Sequence, residues 1–194
     1  TEVNYFNGLI NHPIYKRKLQ SISVKIYKPK DHSPQGLVKE AKKAGMTSLA
    51  ITDYSNMYGA IEFYSTCKKE GIKPIIGAEF SILYNERKFQ IVLLAKDITG
   101  YRNLMRITSI VNIDNPLDPL LTDEVLVMYK EGLLVISGGL WGDVSNLLII
   151  DEDEAIKRLT FYKSNFPDSY YLEINPQKNQ DNAEDLHKKT LAFA

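Results

Sequence analysis

Residues 37–80 decide the fold, and they read LVKEAKKAGMTSLAITDYSNMYGAIEFYSTCKKEGIKPIIGAEF. Apolar residues recur at helical spacing before Gly45, and the apolar run Leu49-Ala50-Ile51 is typical of a buried parallel strand. A second helical pattern closes at Gly71 and leads into another strand pattern from residue 74. Strands and helices that alternate in this way predict an α/β domain with a mostly parallel sheet.

The alternation continues on both sides of this stretch. Further strands are predicted at residues 21–26, 89–95, 133–136 and 170–174, and further helices at 100–111, 151–166 and 183–193. Thr122 is predicted to cap a helix, because Asp123 and Glu124 follow it, and residues 112–121 are predicted to form a loop. We interpret residues 20–194 as one domain, a barrel or an open sheet, and residues 1–19 as an N-terminal arm.

The composition excludes several classes of protein. Lys plus Arg and Asp plus Glu number 24 each, so the overall charge gives no reason to expect a direct grip on nucleic acid. Cys67 is the only cysteine, which rules out an internal disulfide and a cysteine-based zinc site. No apolar run in the sequence reaches membrane-spanning length, and a cytoplasmic protein is expected.

Several phrases beyond the opening stretch occur in a fixed order. They are QIVLLAKD at 90–97, GYRNL at 100–104, EGLLVISGG at 131–139 and YYLEI at 170–174. Together with residues 37–80 they resemble the PHP (polymerase and histidinol phosphatase) domain of bacterial DNA polymerase III alpha subunits, and SGGLWGD at 137–143 is most similar to the proteobacterial branch. The resemblance implies a distorted βα barrel of the TIM type. The family continues with a strand carrying Asp-x-His where this chain ends on a helix, so the domain is expected to be cut before its last strand.

The resemblance also implies a cluster of metal ions at the C-terminal mouth of the barrel, where βα folds place their chemistry. Metal-binding members carry His-x-His in the first strand, but this chain offers Ser21, Ser23 and Lys25. A serine hydroxyl is a poor ligand for zinc or manganese, and an ammonium group has no lone pair to donate. The first strand is therefore predicted to contribute no metal ligand.

The other expected ligand positions are also changed. The family phrase Thr-Asp-His ends in Tyr54, Gln90 stands where a histidine is expected, and Gly139 stands where metal-binding members have cysteine. Asp53 and Glu79 keep their carboxylates. The sequence therefore predicts a degenerate site with no bound metal, no cofactor and no catalytic residue.

Two alternatives remain open for this site. One concerns His32, beside Asp31, which is the one histidine near the expected mouth, since His12 lies in the arm and His187 in the last helix. It could bind a metal, but a lone imidazole is a weak metal site. A solvated loop histidine is the simpler interpretation.

Asp53 and Glu79 are open to two interpretations as well. They could form an acid–base pair. The simpler interpretation is that Asp53 accepts N–H groups of the following loop, while Lys25 neutralises Glu79 in an ion pair.

By resemblance, the parent protein is a DNA-directed DNA polymerase, a nucleotidyltransferase whose active site lies in later domains. The segment is expected to act as a non-catalytic scaffold in DNA replication, in contact with the remaining polymerase domains, and as a docking surface for the proofreading exonuclease subunit. One alternative is a metal-dependent PHP phosphoesterase or 3′–5′ exonuclease, which would need two or three metals. Another is a free-standing interaction module.

Overall fold

The computed structural model describes residues 33–173, which form six helices and six strands. The helices are α1 (Pro34–Lys43), α2 (Ala60–Glu70), α3 (Ile98–Asp114), α4 (Asp123–Met128), α5 (Asp143–Ile150) and α6 (Glu152–Asn165). The strands are β1 (Ser48–Tyr54), β2 (Lys73–Tyr84), β3 (Arg87–Ala95), β4 (Leu120–Leu121), β5 (Leu133–Ile136) and β6 (Tyr170–Tyr171). A 3₁₀ turn, Gly139–Trp141, separates β5 from α5.

The ends of the helices follow from local chemistry. Ser33 caps α1 by accepting a hydrogen bond from the Gly36 N–H at 3.0 Å. Gly45 and Gly71 have φ of +73°, a left-handed conformation that ends a helix at little steric cost when the residue is glycine. The Thr122 hydroxyl accepts from the Val125 N–H, which confirms the predicted cap of α4.

Five of the six described strands run in one direction. The sheet order is β1-β2-β3-β5-β6, and β4 pairs with β2. The β1–β2, β2–β4 and β5–β6 pairs are parallel, whereas β3 is antiparallel to both of its neighbours. Asn85 and Glu86, with φ of +47° and +62°, form the tight turn that reverses the chain between β2 and β3. The mostly parallel sheet is confirmed, with one reversed strand.

Three details of the predicted architecture differ from the structure. The sheet of the described residues is open, so the predicted barrel is not confirmed. The predicted strand at 21–26 and the predicted helix at 183–193 lie outside the described residues and stay predictions. The predicted loop at 112–121 holds the end of α3 and the short strand β4. Helix α5 was not predicted, because its apolar run directly follows the glycine-rich turn and shows little amphipathic pattern.

All six described helices pack on the same face of the sheet. Strand side chains of this covered face, such as Ala78, Phe80 and Ile82, are buried with residues from α3 to α6. Ile51 continues the covered face and packs with residues of α1 and α2. Side chains alternate along a strand, so Glu79 points to the opposite face, which we call the open face. Within residues 33–173, no helix combines the length and apolar character needed to cross a bilayer.

Candidate functional site

Four polar side chains from β1, β2 and β3 share the open face. The strand register aligns Tyr54 with Glu79 and Ser81 with Gln90, and directly paired residues project to the same side of a sheet. The Tyr54 and Ser81 hydroxyls form a hydrogen bond of 2.7 Å. The Tyr54 phenol is thus tied to the neighbouring strand.

Asp53 lies on the covered face instead. Its register partner is Ala78, and a Cβ atom added to Gly59 would lie 3.3 Å from Asp53 Oδ2, on the side of the helices. Asp53 and Glu79 therefore project from opposite faces of the sheet, and the alternative of an acid–base pair is wrong. The loop N–H of Tyr58 donates to Asn56 Oδ1 at 3.1 Å, and among the described residues no N–H of the loop donates to the Asp53 carboxylate.

The loop after β5 packs its backbone against Gln90 of β3. Gly138 has φ of +72°, and a Cβ atom there would lie only 2.2 Å from the Gln90 carbonyl oxygen. Only glycine allows this approach of the two backbones. Gly139, also at positive φ, begins the 3₁₀ turn and offers no side chain to a ligand.

Glu173 joins the site and was missed in the sequence. It lies two residues after the end of β6, and its N–H donates to Ser137 Oγ at 2.9 Å. Burial raises the pKa of Glu173, and the negative charge of Glu79 raises it further; burial also raises the pKa of Glu79. The signal was available, because Glu173 lies near the end of the strand predicted at 170–174, and the carboxyl ends of parallel strands meet at one edge of a sheet.

The described residues do not fit the metal cluster that the family implies. The open face presents a phenol tied to a serine, an amide and two carboxylates, and neutral hydroxyl and amide groups are weak ligands for transition metals. Within residues 33–173, no group of three or more His, Cys, Asp or Glu side chains could hold a metal ion. Ser21, Ser23, Lys25 and the three histidines lie outside the described residues, so their predicted roles stay predictions.

A buried ion cluster lies at the start of α5, directly after the glycine-rich loop that follows β5. The sequence patterns did not reveal it. Arg158, only 1% exposed, donates from Nε to Asp143 and from Nη1 and Nη2 to Asp123 at 2.5 and 2.8 Å. The Tyr162 hydroxyl accepts from Arg158 at 2.8 Å and donates to Asp143 at 2.6 Å. The guanidinium also lies 4.6 Å from the ring centroid of Tyr84. These contacts join α4, α5 and α6.

Comparisons with known proteins agree on one family. The family model described as "PHP domain" matches residues 30–177. The chain is 35% identical over 157 residues to the DNA polymerase III subunit alpha of Vibrio cholerae and 38% identical over 162 residues to that of Buchnera aphidicola. Each alignment covers 78% of this chain, and the chain spans 14% of the length of each relative.

Among solved structures, the chain is similar to a putative metal-dependent phosphoesterase from Bifidobacterium adolescentis. The two are 16% identical, the match covers 82% of this chain and 70% of the other, and the TM-score is 0.34. At that TM-score the likeness supports no conclusion about function.

Proposed function

The chain belongs to the PHP domain family, and from this premise we propose that it is the PHP region of a bacterial DNA polymerase III alpha subunit that has lost its metal chemistry. In this proposal the segment is a non-catalytic scaffold for the polymerase domains and a docking surface for the proofreading exonuclease subunit. The proposal includes a cytoplasmic location and a single domain over residues 20–194 with an arm at 1–19.

The hydrogen bond between Tyr54 and Ser81 is the main observation that supports a non-catalytic role. A metal-dependent phosphoesterase uses several metal ions to generate hydroxide and to clamp a phosphoryl oxygen. At the position of a family histidine this chain holds a phenol, engaged at 2.7 Å with a serine hydroxyl. Glu79 and Glu173 are the two carboxylates of this site among the described residues, and within residues 33–173 no third His, Cys, Asp or Glu side chain joins them to hold a metal ion.

The relatives support the replication part of the proposal. The relatives from Vibrio cholerae and Buchnera aphidicola are both DNA polymerase III alpha subunits, and they match this chain over most of its length. The exonuclease subunit enters the proposal only through the resemblance to the proteobacterial branch, so its binding has to be measured.

The first experiment is a binding measurement between the full 194-residue chain and the purified proofreading exonuclease subunit of the same organism, by surface plasmon resonance. We expect saturable binding at micromolar concentration or tighter, about −8 kcal/mol. A free-standing interaction module would give no signal here, and that outcome would refute the docking role.

The second experiment tests the enzymatic alternative. The chain is incubated with manganese and either p-nitrophenyl phosphate esters or single-stranded DNA, beside the variants Asp53→Ala and Glu79→Ala. We expect no turnover above the buffer, since a carboxylate without a metal does not activate water well against a negatively charged phosphodiester. Turnover that disappears in either variant would restore the phosphoesterase assignment.

A further inference from the structure

An apolar groove lies between α2 and the start of α3, on the covered side of the sheet. Its volume is about 390 Å³. We call it the α2–α3 groove and define it by the larger apolar side chains of its lining: Ile61, Tyr64, Pro74, Ile76, Ile98 and Tyr101. Because Ile76 packs with buried residues of α1 and α2, the groove is separate from the open face of the sheet.

The groove exposes several of these side chains to water. Ile61 of α2 is 68% exposed and Ile98 of α3 is 62% exposed. Tyr64, which lies three residues after Ile61 on the same helix, is 47% exposed. Single exposed apolar residues are normal, but several that line one concavity mark an interaction site. A segment that covers them would be stabilised by the apolar area removed from water.

The charges in the groove lining balance, and each already has a partner. The lining contains one cation, Lys96, and one carboxylate, Asp97. The Lys96 ammonium donates to Ser169 Oγ at 2.8 Å, and Asp97 accepts the Gly100 N–H at 2.9 Å as the cap of α3. A charged segment would lose water in this groove without gaining a new ion pair, so the groove favours a segment that carries no charge.

The chain itself contains such a segment outside the described residues. Residues 3–15, VNYFNGLINHPIY, contain no Asp, Glu, Lys or Arg, and they are the longest stretch of the sequence of which this is true. Their larger apolar side chains include Tyr5, Phe6, Leu9 and Ile10. Residues 174–194 fit less well, because they contain six charged residues and follow β6, on the far side of β5 from the groove.

The path of the chain brings residues 3–15 within reach of the groove. The described part begins at Ser33, and Pro34 Cγ lies 3.4 Å from a Cβ atom built on Gly59. Gly59 directly precedes Ala60, which lies in the groove wall. The 17 residues from 16 to 32 connect the stretch to this point, and a chain of that length spans up to about 60 Å when extended.

The predicted strand at 21–26 leads to the same place. If it lies parallel to β1 at the edge of the sheet, it begins at the end where Ser48 pairs with Lys73. Lys73 is the neighbour of Pro74, which lines the groove. The arm would therefore leave this strand at the end of the sheet where the groove opens.

We propose that residues 3–15 of the same chain lie in the α2–α3 groove, with apolar side chains such as Phe6 and Leu9 packed against Ile61 and Ile98. The N-terminal arm then acts as an intramolecular strap, which covers this apolar surface and keeps it from other proteins. The inference goes beyond the proposed function, and its failure would leave the docking role and the loss of metal chemistry untouched.

The test is hydrogen exchange of residues 3–15 in the full 194-residue chain, followed by mass spectrometry, with a synthetic peptide of residues 1–19 as the reference. Ile61→Glu and Ile98→Glu place a charge in the groove. Ile113→Glu is the matched control, since Ile113 is 75% exposed on α3 and does not line the groove. A thermal melt of each variant shows whether it is folded.

We expect exchange in the wild type to be at least about tenfold slower than in the peptide. Both groove variants should exchange at the rate of the peptide, and Ile113→Glu at the rate of the wild type. Wild-type exchange as fast as that of the peptide would overturn the inference. Slow exchange that survives in both folded groove variants would overturn it too, because the arm would then lie elsewhere.

A reciprocal measurement follows the groove instead of the arm. In the variant Ile98→Cys the rate of alkylation reports access to the groove, because the native Cys67 is buried. Adding Phe6→Ser and Leu9→Ser should speed alkylation by at least about tenfold, whereas adding Asn7→Ser should not change it. Equal rates with and without the arm substitutions would contradict the strap. Protection that increases with protein concentration would place a second copy in the groove and would also overturn the inference.

Discussion

Replacing Arg158 by methionine is the sharpest test of how the domain is held together. Met fills much of the same space but removes the guanidinium that binds Asp143 and Asp123 and donates to Tyr162. Asp143 is 1% exposed, so the change leaves its carboxylate buried with no cation beside it. Breaking a buried ion pair in this way costs about 3–5 kcal/mol. Asp123 adds little, because its partly exposed carboxylate regains water.

The measurement is urea unfolding followed by far-ultraviolet circular dichroism. With a slope of about 1–3 kcal/mol/M, a loss of about 4 kcal/mol lowers the midpoint by about 2 M. Arg102→Met is the control, since Arg102 is exposed on α3, and its free energy of unfolding should stay within about 0.5 kcal/mol of the wild-type value.

A combined variant separates a lost pair from lost packing. Arg158→Met with Asp143→Leu and Tyr162→Phe removes the buried polar groups together, and apolar replacements of buried ion clusters are often neutral. We expect this variant to recover at least half of the stability lost in Arg158→Met. A cost of less than about 1 kcal/mol in Arg158→Met would show that the buried ion pair does not stabilise the domain, and so would a combined variant less stable than the single one.

Three further outcomes are expected. Elemental analysis of the purified chain should find less than about one equivalent of zinc, manganese or iron, against the two or more that metal-activated hydrolysis uses; two tightly held metals would contradict the degenerate site. Tyr54→Phe removes the hydroxyl bonded to the serine of β2 and should lower the free energy of unfolding by about 0.5–1.5 kcal/mol, while Tyr58→Phe, at a position 93% exposed, should not change it. Burial raises the pKa of Glu79, so ionising this carboxyl opposes folding. The stability of the fold with a protonated Glu79 is fully present below the unfolded pKa and is lost as the pH rises through the folded pKa. Glu79→Gln should therefore raise the melting temperature at pH 7 and not at pH 4, with Glu86→Gln in the exposed turn as control; a lower melting temperature at pH 7 would instead place a cation, such as the predicted Lys25, beside Glu79.

The helix ends that could be predicted from the sequence are those set by a single capping residue. Gly45 and Gly71 end their helices, and the threonine cap of α4 is where it was expected, because these signals act within one turn of the chain. The placement of Asp53 opposite to Glu79 was out of reach, since it depends on the register between β1 and β2, and a shift of one residue reverses every side chain. The two-residue strand β4 exists only through its pairing with β2.

The same limit applies to the side chains that meet across the fold. Glu173 and Glu79 are 94 positions apart in the sequence, and their charges interact only because the fold places β2 and β6 in one sheet. Arg158 looked like a charged residue on an amphipathic helix, and no periodic pattern distinguishes a cation that will be enclosed by two aspartates from one that will be solvated.

The reversal between β2 and β3 also bears on the order in which the domain folds. These two strands share the longest continuous register of the sheet, from Gly77 paired with Leu94 to Tyr84 paired with Arg87, and a two-residue turn joins them. Closing so short a loop costs far less chain entropy than bringing β5 to β3 or β1 to β2 across an intervening helix. We therefore expect the hairpin to be formed early in the transition state for folding, with φ-values near 1 for residues such as Phe80 and Ile91 and low values in β6.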